Sequence, residues 1–486
     1  MPQRPESNPW LVLVIVCLAQ FMVILDATIV NVALPSIQRD LHFSAADLQW
    51  VINSYTLVFG GFLLLGGRAG DLIGRRALFI AGVIVFSVAS LLNGLATSAE
   101  WLIVSRGLQG LGGALVSPAA LSIITTTFAE GRERQKALGV WSAIAAGGGA
   151  FGLLLGGILT DSLSWEWIFF VNVPVGIVAA ILAWRYVRES RAIVRPGSFD
   201  VAGAVSVTAG LIVLVYAIVK AQEFGWGSAR TLGLGAVAVV LLGAFVLIER
   251  RSKAPLVRLG VFRTRSLTGS NLVLLVVAGG LFALFFFASL YVQGILGFDP
   301  LEAGLAFLPV TAGIMLGAGA SQQLVRVIGV RAMAVIGMAI AAVGLFVLTG
   351  VSADGTYAAD VLPGLLPMSI GMGCTFVPIT LIATTNVDAA DAGLASGLFN
   401  TSQQIGGALG LAVLATLSAD KTASTLSGLG RPPTAADRAA ALVEGFQVAF
   451  TGAAILMVVG IALMVLLVRR RDVANVNPEQ AVAQAA

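Results

Sequence analysis

The chain has 486 residues, 58% of them hydrophobic and 11% charged, with a formal net charge of +4 and a mean hydropathy of +0.94. Soluble domains carry about 25% charged residues, so composition excludes an ordinary soluble fold. The apolar runs are continuous, without the period-2 alternation of a β-barrel, which leaves an all-α polytopic membrane protein.

Roughly 20 consecutive apolar residues cross a bilayer as a helix. Fourteen runs of about that length are predicted, at 10–34, 47–66, 77–97, 101–124, 136–158, 166–185, 200–219, 230–248, 268–292, 303–324, 332–350, 361–384, 393–417 and 445–468. The first holds an acid, Asp26, in "LDATIVNVALP" after sixteen uncharged residues. A charge at the centre of a spanning helix costs about 2.5–3.5 kcal/mol on the insertion scale, so Asp26 needs a partner, a proton or a water-filled cavity. Between spans 2 and 3 runs "GRAGDLIGRR", residues 67–76. Its glycines permit a tight turn, Asp71 is placed to cap the next helix, and Arg75 and Arg76 stay at the membrane surface.

Span 4 carries "RGLQGLGGALVSP", residues 106–118, with Arg106 about five residues inside the span. Arg106 either finds a partner or water, or snorkels to the interface. Asp26 is about 24 Å along its helix from Trp10 at 1.5 Å per residue, which brings it to a depth similar to that of Arg106. A direct or water-bridged pair is therefore one expectation, and a structural acid locking the first helix is the other. Span 5 carries "GGAFGLLLGG", in which Gly148, Gly152 and Gly156, with Gly157 beside them, make a smooth face for close helix approach.

Of the 29 Lys and Arg, 22 fall on one side when the termini are put in the cytoplasm, which predicts that orientation. The same placement in short loops argues against nucleic acid as the partner of this basic chain, whose isoelectric point is near 9.3. Cys17 and Cys374 lie within spans and read as buried thiols rather than a disulfide. The single histidine, His42, makes no metal site and reads as an exposed loop residue. No cleavable signal peptide is expected.

Gly139, Gly148, Gly149 and Gly152 recur as Gly397, Gly406, Gly407 and Gly410, each 258 residues on. "GDLIGRR" is echoed after span 10 by "LVRVIGVR", where Gly329 and Arg331 answer Gly74 and Arg76. Two parallel-repeat halves with an inserted pair of helices fit this spacing. The predicted organisation is an N-terminal six-helix bundle (8–196), two inserted transmembrane helices with a basic cytoplasmic loop (197–265), a C-terminal six-helix bundle (266–472) and a short cytoplasmic tail (473–486).

These motifs together resemble the major facilitator superfamily, and more narrowly its fourteen-span drug:proton antiporters, over essentially the whole chain. The resemblance implies a major facilitator fold of two six-helix bundles plus two inserted linker helices. It gives Asp26 and Arg106 a part in proton coupling. It makes Gly67, Asp71, Gly74, Arg75 and Arg76 a conformational latch, and associates the span 5 glycines with export. Leu153 stands where the family's glycine motif carries proline, Glu166 and Gln403 stand where arginine is usual, and Ala69 replaces a leucine.

The implied activity is proton-coupled export of amphiphilic small molecules, such as drugs, antibiotics or toxic metabolites, by alternating access. The expectations that go with it are a multi-pass cell-membrane location, lipid, substrate and protons as partners, no cofactor beyond the proton gradient, and function as a monomer. A proton-coupled importer or lipid/metabolite transporter would share the fold. A non-transporting sensor or scaffold would not need both latch and membrane acid. No GxxxxGK[ST] motif is present for ATP-driven work, and no paired intramembrane acids or metal ligands for an enzyme. Gln20, Asn53, Tyr55, Gln109, Tyr291, Gln293, Asn400 and Gln404 are the candidates by depth and polarity for a mostly neutral substrate cavity. Each also fits ordinary helix–helix hydrogen bonding.

Overall fold

A computed structural model describes residues 8–129, 131–190, 200–252, 255–384 and 392–473. Asp388, Asp391, Arg191, Arg195 and nearly all of the predicted tail lie outside the described residues, as does the side chain of Asp71.

Helices follow the predicted apolar runs from end to end. They are α1 (Pro9–Asp40), α2 (Trp50–Ile73), α3 (Arg75–Gly94), α4 (Ala99–Thr127), α5 (Arg132–Ser162), α6 (Trp167–Tyr186, with a turn at Val171) and α7 (Val201–Phe224). The series continues with α8 (Ala229–Arg251), α9 (Arg265–Gly294), α10 (Pro300–Ile328, interrupted at Phe307), α11 (Val330–Val347), α12 (Leu362–Thr384), α13 (Ala392–Ser427) and α14 (Ala435–Leu467).

Among the described residues, twelve helices are long and apolar enough to cross a membrane, against the fourteen expected. The other two predicted spans coincide with α5 and α13. Both are long helices; several side chains of α5 lie outside the described residues, and in α13 the run Asn400, Thr401, Ser402, Gln403 and Gln404 dilutes the apolar content. Two boundaries also differ. The sequence expectation ends span 13 at 417 and begins span 14 at 445, yet α13 continues to Ser427 and α14 begins at Ala435. These polar turns stay helical because Thr434 and Asp437 form a reciprocal capping box that starts α14 early.

The start of α1 and the end of α14 lie on one face of the bundle, called here the terminal face; the opposite face is the far face. In the first half, α1 packs on α5, α2 and α3 pack on α4, and α6 packs on α3 and α1. The second half pairs α9 with α13 and α14, and α12 with α10 and α11. The halves meet at the far face. Ser289 Oγ donates to Asn31 O at 2.6 Å, Gln293 Nε2 donates to Val32 O at 2.9 Å, and a Cβ on Gly304 would stand 2.6 Å from Leu153 O. The inserted helix α7 packs on α2 of one half and α13 of the other, with Leu211, Val215 and Val219 against Leu57, Ala408 and Ala412.

The span 5 glycines do what their spacing predicts, with one exception. A Cβ on Gly148 would meet Ile24 at 2.9 Å, one on Gly152 would overlap Thr28 and stand 3.0 Å from Leu25 O, and one on Gly156 would stand 2.8 Å from Ile29 O. The three therefore let α5 lie directly against the α1 turn that holds Asp26. Gly157 is not part of this face. It turns toward the second half, where a Cβ would stand 2.6 Å from Pro300 O. In the second half Gly406 and Gly410 likewise seat α13 against Leu275 and Gly279 of α9.

Candidate functional site

Asp26 and Arg106 meet directly. Arg106 Nη1 donates to Asp26 Oδ2 at 2.6 Å, and the two side chains are 0% and 1% exposed. Arg106 does not snorkel. Its Nε is held by Val51 O at 3.0 Å, and its guanidinium lies over the Tyr55 ring, 4.5 Å from the centroid, with Phe169 at 5.6 Å.

A polar cage completes the pair. Asp26 Oδ1 accepts from Gln109 Nε2 at 2.7 Å and from Asn172 Nδ2 at 3.0 Å. Gln109 Oε1 accepts from Arg106 Nη1 and from Asn93 Nδ2, both at 2.6 Å. Ser90 Oγ accepts from Gln109 and Asn172 and donates to Phe169 O at 2.8 Å. Five helices of the first half, α1, α2, α3, α4 and both segments of α6, thus contribute to one buried network. Asp26 receives only donors, the pattern that suits an ionised carboxylate. At the offset of 258 that relates Gly148 to Gly406, Asp26 and Arg106 are answered by Leu284 and Gly364. The charged network belongs to the first half.

The eight residues chosen as candidates for a substrate cavity have varied surroundings. Gln109 and Tyr55 belong to the ion-pair cage. Asn53 donates to Gln49 Oε1 at 3.3 Å, and Tyr291 donates to Ser352 O at 2.7 Å. Gln293 clasps α1 as described. Exposed Asn400 donates to Ser396 O one turn back, and Gln404 packs its stem where a Cβ on Gly60 would stand, at 2.9 Å. Gln20 Oε1 is buried without a hydrogen-bond partner. Long amides serve helix contacts as readily as ligands, and depth alone does not separate the two uses.

The latch also differs in detail. Gly74 sits at φ 121° and links α2 to α3, and its repeat Gly329 sits at φ 83° between α10 and α11. The first turn of α3 is capped from elsewhere. Glu189, just past α6, accepts from Arg76 N through Oε1 and from Ala77 N through Oε2, each at 3.1 Å. Arg76 Nε stands 3.7 Å from the same carboxylate, and Arg75 N donates to Ser190 O. Gly67 lies open, with Pro118 at ordinary contact distance. Arg331 reaches across the second half to Val465 O at 2.8 Å.

Asn172, Asn93, Ser90 and Glu189 were not among the sequence candidates. Asn172 lies within "SWEWIFFVNVPVG", and an amide in an apolar span was the available signal. His42 is exposed, and Cys17 and Cys374 are buried free thiols.

A sequence model of the Major Facilitator Superfamily matches residues 16–411. The chain belongs to the major facilitator superfamily. It is 41% identical over 478 residues to a puromycin resistance protein of Streptomyces alboniger, covering 97% of this chain and 94% of that one. It is 40% identical over 418 residues to a cephamycin export protein of Amycolatopsis lactamdurans, covering 85% and 86%. In fold it is similar to the crystal structure of a bacterial homologue of the human lysosomal transporter Spinster in an inward-facing conformation, with a TM-score of 0.67 at 18% identity over 97% of this chain and 98% of that one. As a member of this superfamily the chain is a multi-pass membrane transporter for a small molecule, and not an enzyme.

Proposed function

We propose that this transporter is a proton-coupled exporter of amphiphilic small molecules, driven by the proton gradient without a bound cofactor. It works as a monomer in the cytoplasmic membrane with both termini in the cytoplasm, so that the far face is the outer one. The reading rests on one observation above all, the buried Asp26–Arg106 pair at 2.6 Å inside an otherwise neutral cage. The names of the relatives, resistance and export proteins, support the direction of transport.

The geometry supplies a coupling logic. Three of the roughly four lone-pair sites of Asp26 are filled by donors, so a proton adds at Oδ2 and neutralises the charge that holds Arg106. Neutralising Asp26 leaves a buried guanidinium without its counter-charge, a costly state that the surrounding helices relieve by moving. Proton loading and helix rearrangement are then one event, and release of the proton restores the pair. Because the cage draws on α1, α2, α3, α4 and α6, a change at Asp26 is felt throughout the first half. Gly74, Arg75 and Arg76 act as the latch at the terminal face, with Glu189 holding the start of α3.

The test is uptake of cationic and neutral dyes into inside-out vesicles with an imposed proton gradient, comparing the wild type with Asp26→Asn at matched expression. Gradient-driven uptake that the substitution abolishes is the expected result. Uptake unchanged by the substitution removes Asp26 from coupling, and no uptake of any dye removes the broad-exporter reading.

A further inference from the structure

A cavity of about 630 Å³ opens at the far face between α1, the α1–α2 turn, α7, α9, α13 and α14. It is separate from the Asp26 cage and shares no lining residue with it. One wall is aromatic, with Phe286 and Phe287 of α9 and Phe446 of α14; Phe287 stands 5.1 Å from Phe286 and 5.8 Å from Phe446, centroid to centroid. The rim formed by the α1–α2 turn and α7 is ionic. Lys220 Nζ, near the end of the inserted helix α7, lies 3.3 Å from Asp47 and 3.1 Å from Glu223.

The rim holds two acids and one base, and Lys220 can neutralise only one of them. The neighbouring Lys421–Glu444 pair, at 2.9 Å, is self-compensating. Beyond it, Asp420 adds a further acid, which accepts from Trp226 Nε1 at 3.2 Å. The cavity thus combines an aromatic wall with a rim of net negative charge. That combination favours a lipophilic organic cation, whose charge meets the acids while its rings meet the π-faces. A chemically similar anion meets the wrong sign at the rim.

We infer that the far-face cavity is a binding site for aromatic organic cations, with the inserted helix α7 supplying two of its three charged rim residues. Such binding needs no gradient. Its use as a discharge station rests on the export reading above, but the binding itself does not. The site also gives the inserted pair a function at the far face, that of charging the rim of a cavity formed where the two halves meet.

The experiment is equilibrium binding of tetraphenylphosphonium to the full chain purified in neutral detergent, with tetraphenylborate as the matched anion. The phosphonium is expected to bind saturably and the borate not. Glu223→Gln leaves the Lys220–Asp47 pair in place and weakens phosphonium binding by about fivefold, the scale of one water-exposed unit charge about 4 Å away. Lys220→Gln strengthens it by about the same factor, and Leu442→Trp, which narrows the cavity, weakens it. Asp26→Asn leaves binding unchanged, so failure of the coupling model and failure of this site give different results. Equal binding of both ions, no saturable binding by natively melting protein, or an affinity indifferent to Glu223 and Lys220 overturns the inference. The last result would reduce the rim to a tie between α7 and the α1–α2 turn.

Discussion

Glu189 and Arg76 are joined twice across 113 residues of sequence, by a backbone hydrogen bond of 3.1 Å and a side-chain contact of 3.7 Å. The carboxylate sits at the positive end of α3, where both its charge and its acceptors are useful. Glu189→Ala is expected to destabilise the protein by about 1 kcal/mol, the usual worth of a lost helix cap, with Glu189→Gln losing less because its amide oxygen still accepts one N–H. Thermal melting in detergent checks this ordering. An equal loss in both variants would mean that charge, not acceptance, is what α3 requires.

Removing one partner of the buried pair leaves a bare charge. Arg106→Ala is expected to cost about 3–5 kcal/mol and to lower the yield of folded protein. The double variant Asp26→Leu with Arg106→Leu recovers much of that stability, because no charge remains to be solvated, yet carries no gradient-driven transport. Size-exclusion profiles and vesicle uptake, read side by side, separate the two effects. A double variant as unstable as Arg106→Ala would show that the cage needs its polar members for more than charge balance.

The α1–α5 contact offers a matched pair of substitutions. Gly152→Val drives a side chain into Thr28 and the Leu25 carbonyl, and overpacking of this kind costs about 1–3 kcal/mol. Gly149→Ala places its Cβ 3.9 Å from Thr28 Cγ2, an ordinary contact, and should melt like the wild type. Equal behaviour of the two would deny that the glycine face is tight.

At the far face, Ser289 and Gln293 hold α9 to the backbone of α1. Each such hydrogen bond contributes about 0.5–1.5 kcal/mol, so replacing both residues by Ala is expected to shift the balance toward a far-open state by about tenfold or more. Leu153→Cys, buried at the same seam, reports it through the rate of labelling by a membrane-impermeant maleimide. An unchanged rate would place the closing energy in the apolar α5–α10 contact instead.

Much of this architecture is legible in the chain because lipid imposes a simple rule on it. Charges such as Asp26 and Arg106 stand out in apolar runs, and depth counting brings them level before any contact is known. Amides and hydroxyls carry a weaker signal. Gln109 read as a ligand contact but completes the ion-pair cage, while Asn172 and Ser90 passed unnoticed because neutral polar residues cost a span little. Glu189 was hidden for another reason: its partners at the start of α3 lie far away in sequence, and nearby Asp71 offered a local alternative. The extra turns of α13 and α14 escaped a hydropathy reading because polar residues there continue helices that project beyond the apolar segments.

The placement of α7 makes the molecule unequal to its solvent on its two flanks. The seam between α2 and α13 is roofed by an extra helix along its length, while beside the α5–α10 seam residues such as Phe151, Ile158 and Leu305 are exposed. A pseudo-symmetric pair of bundles has two lateral doors in principle, and here one has been built over. The two flanks therefore present different surfaces to the bilayer, an added helix on one and the bare α5–α10 contact on the other.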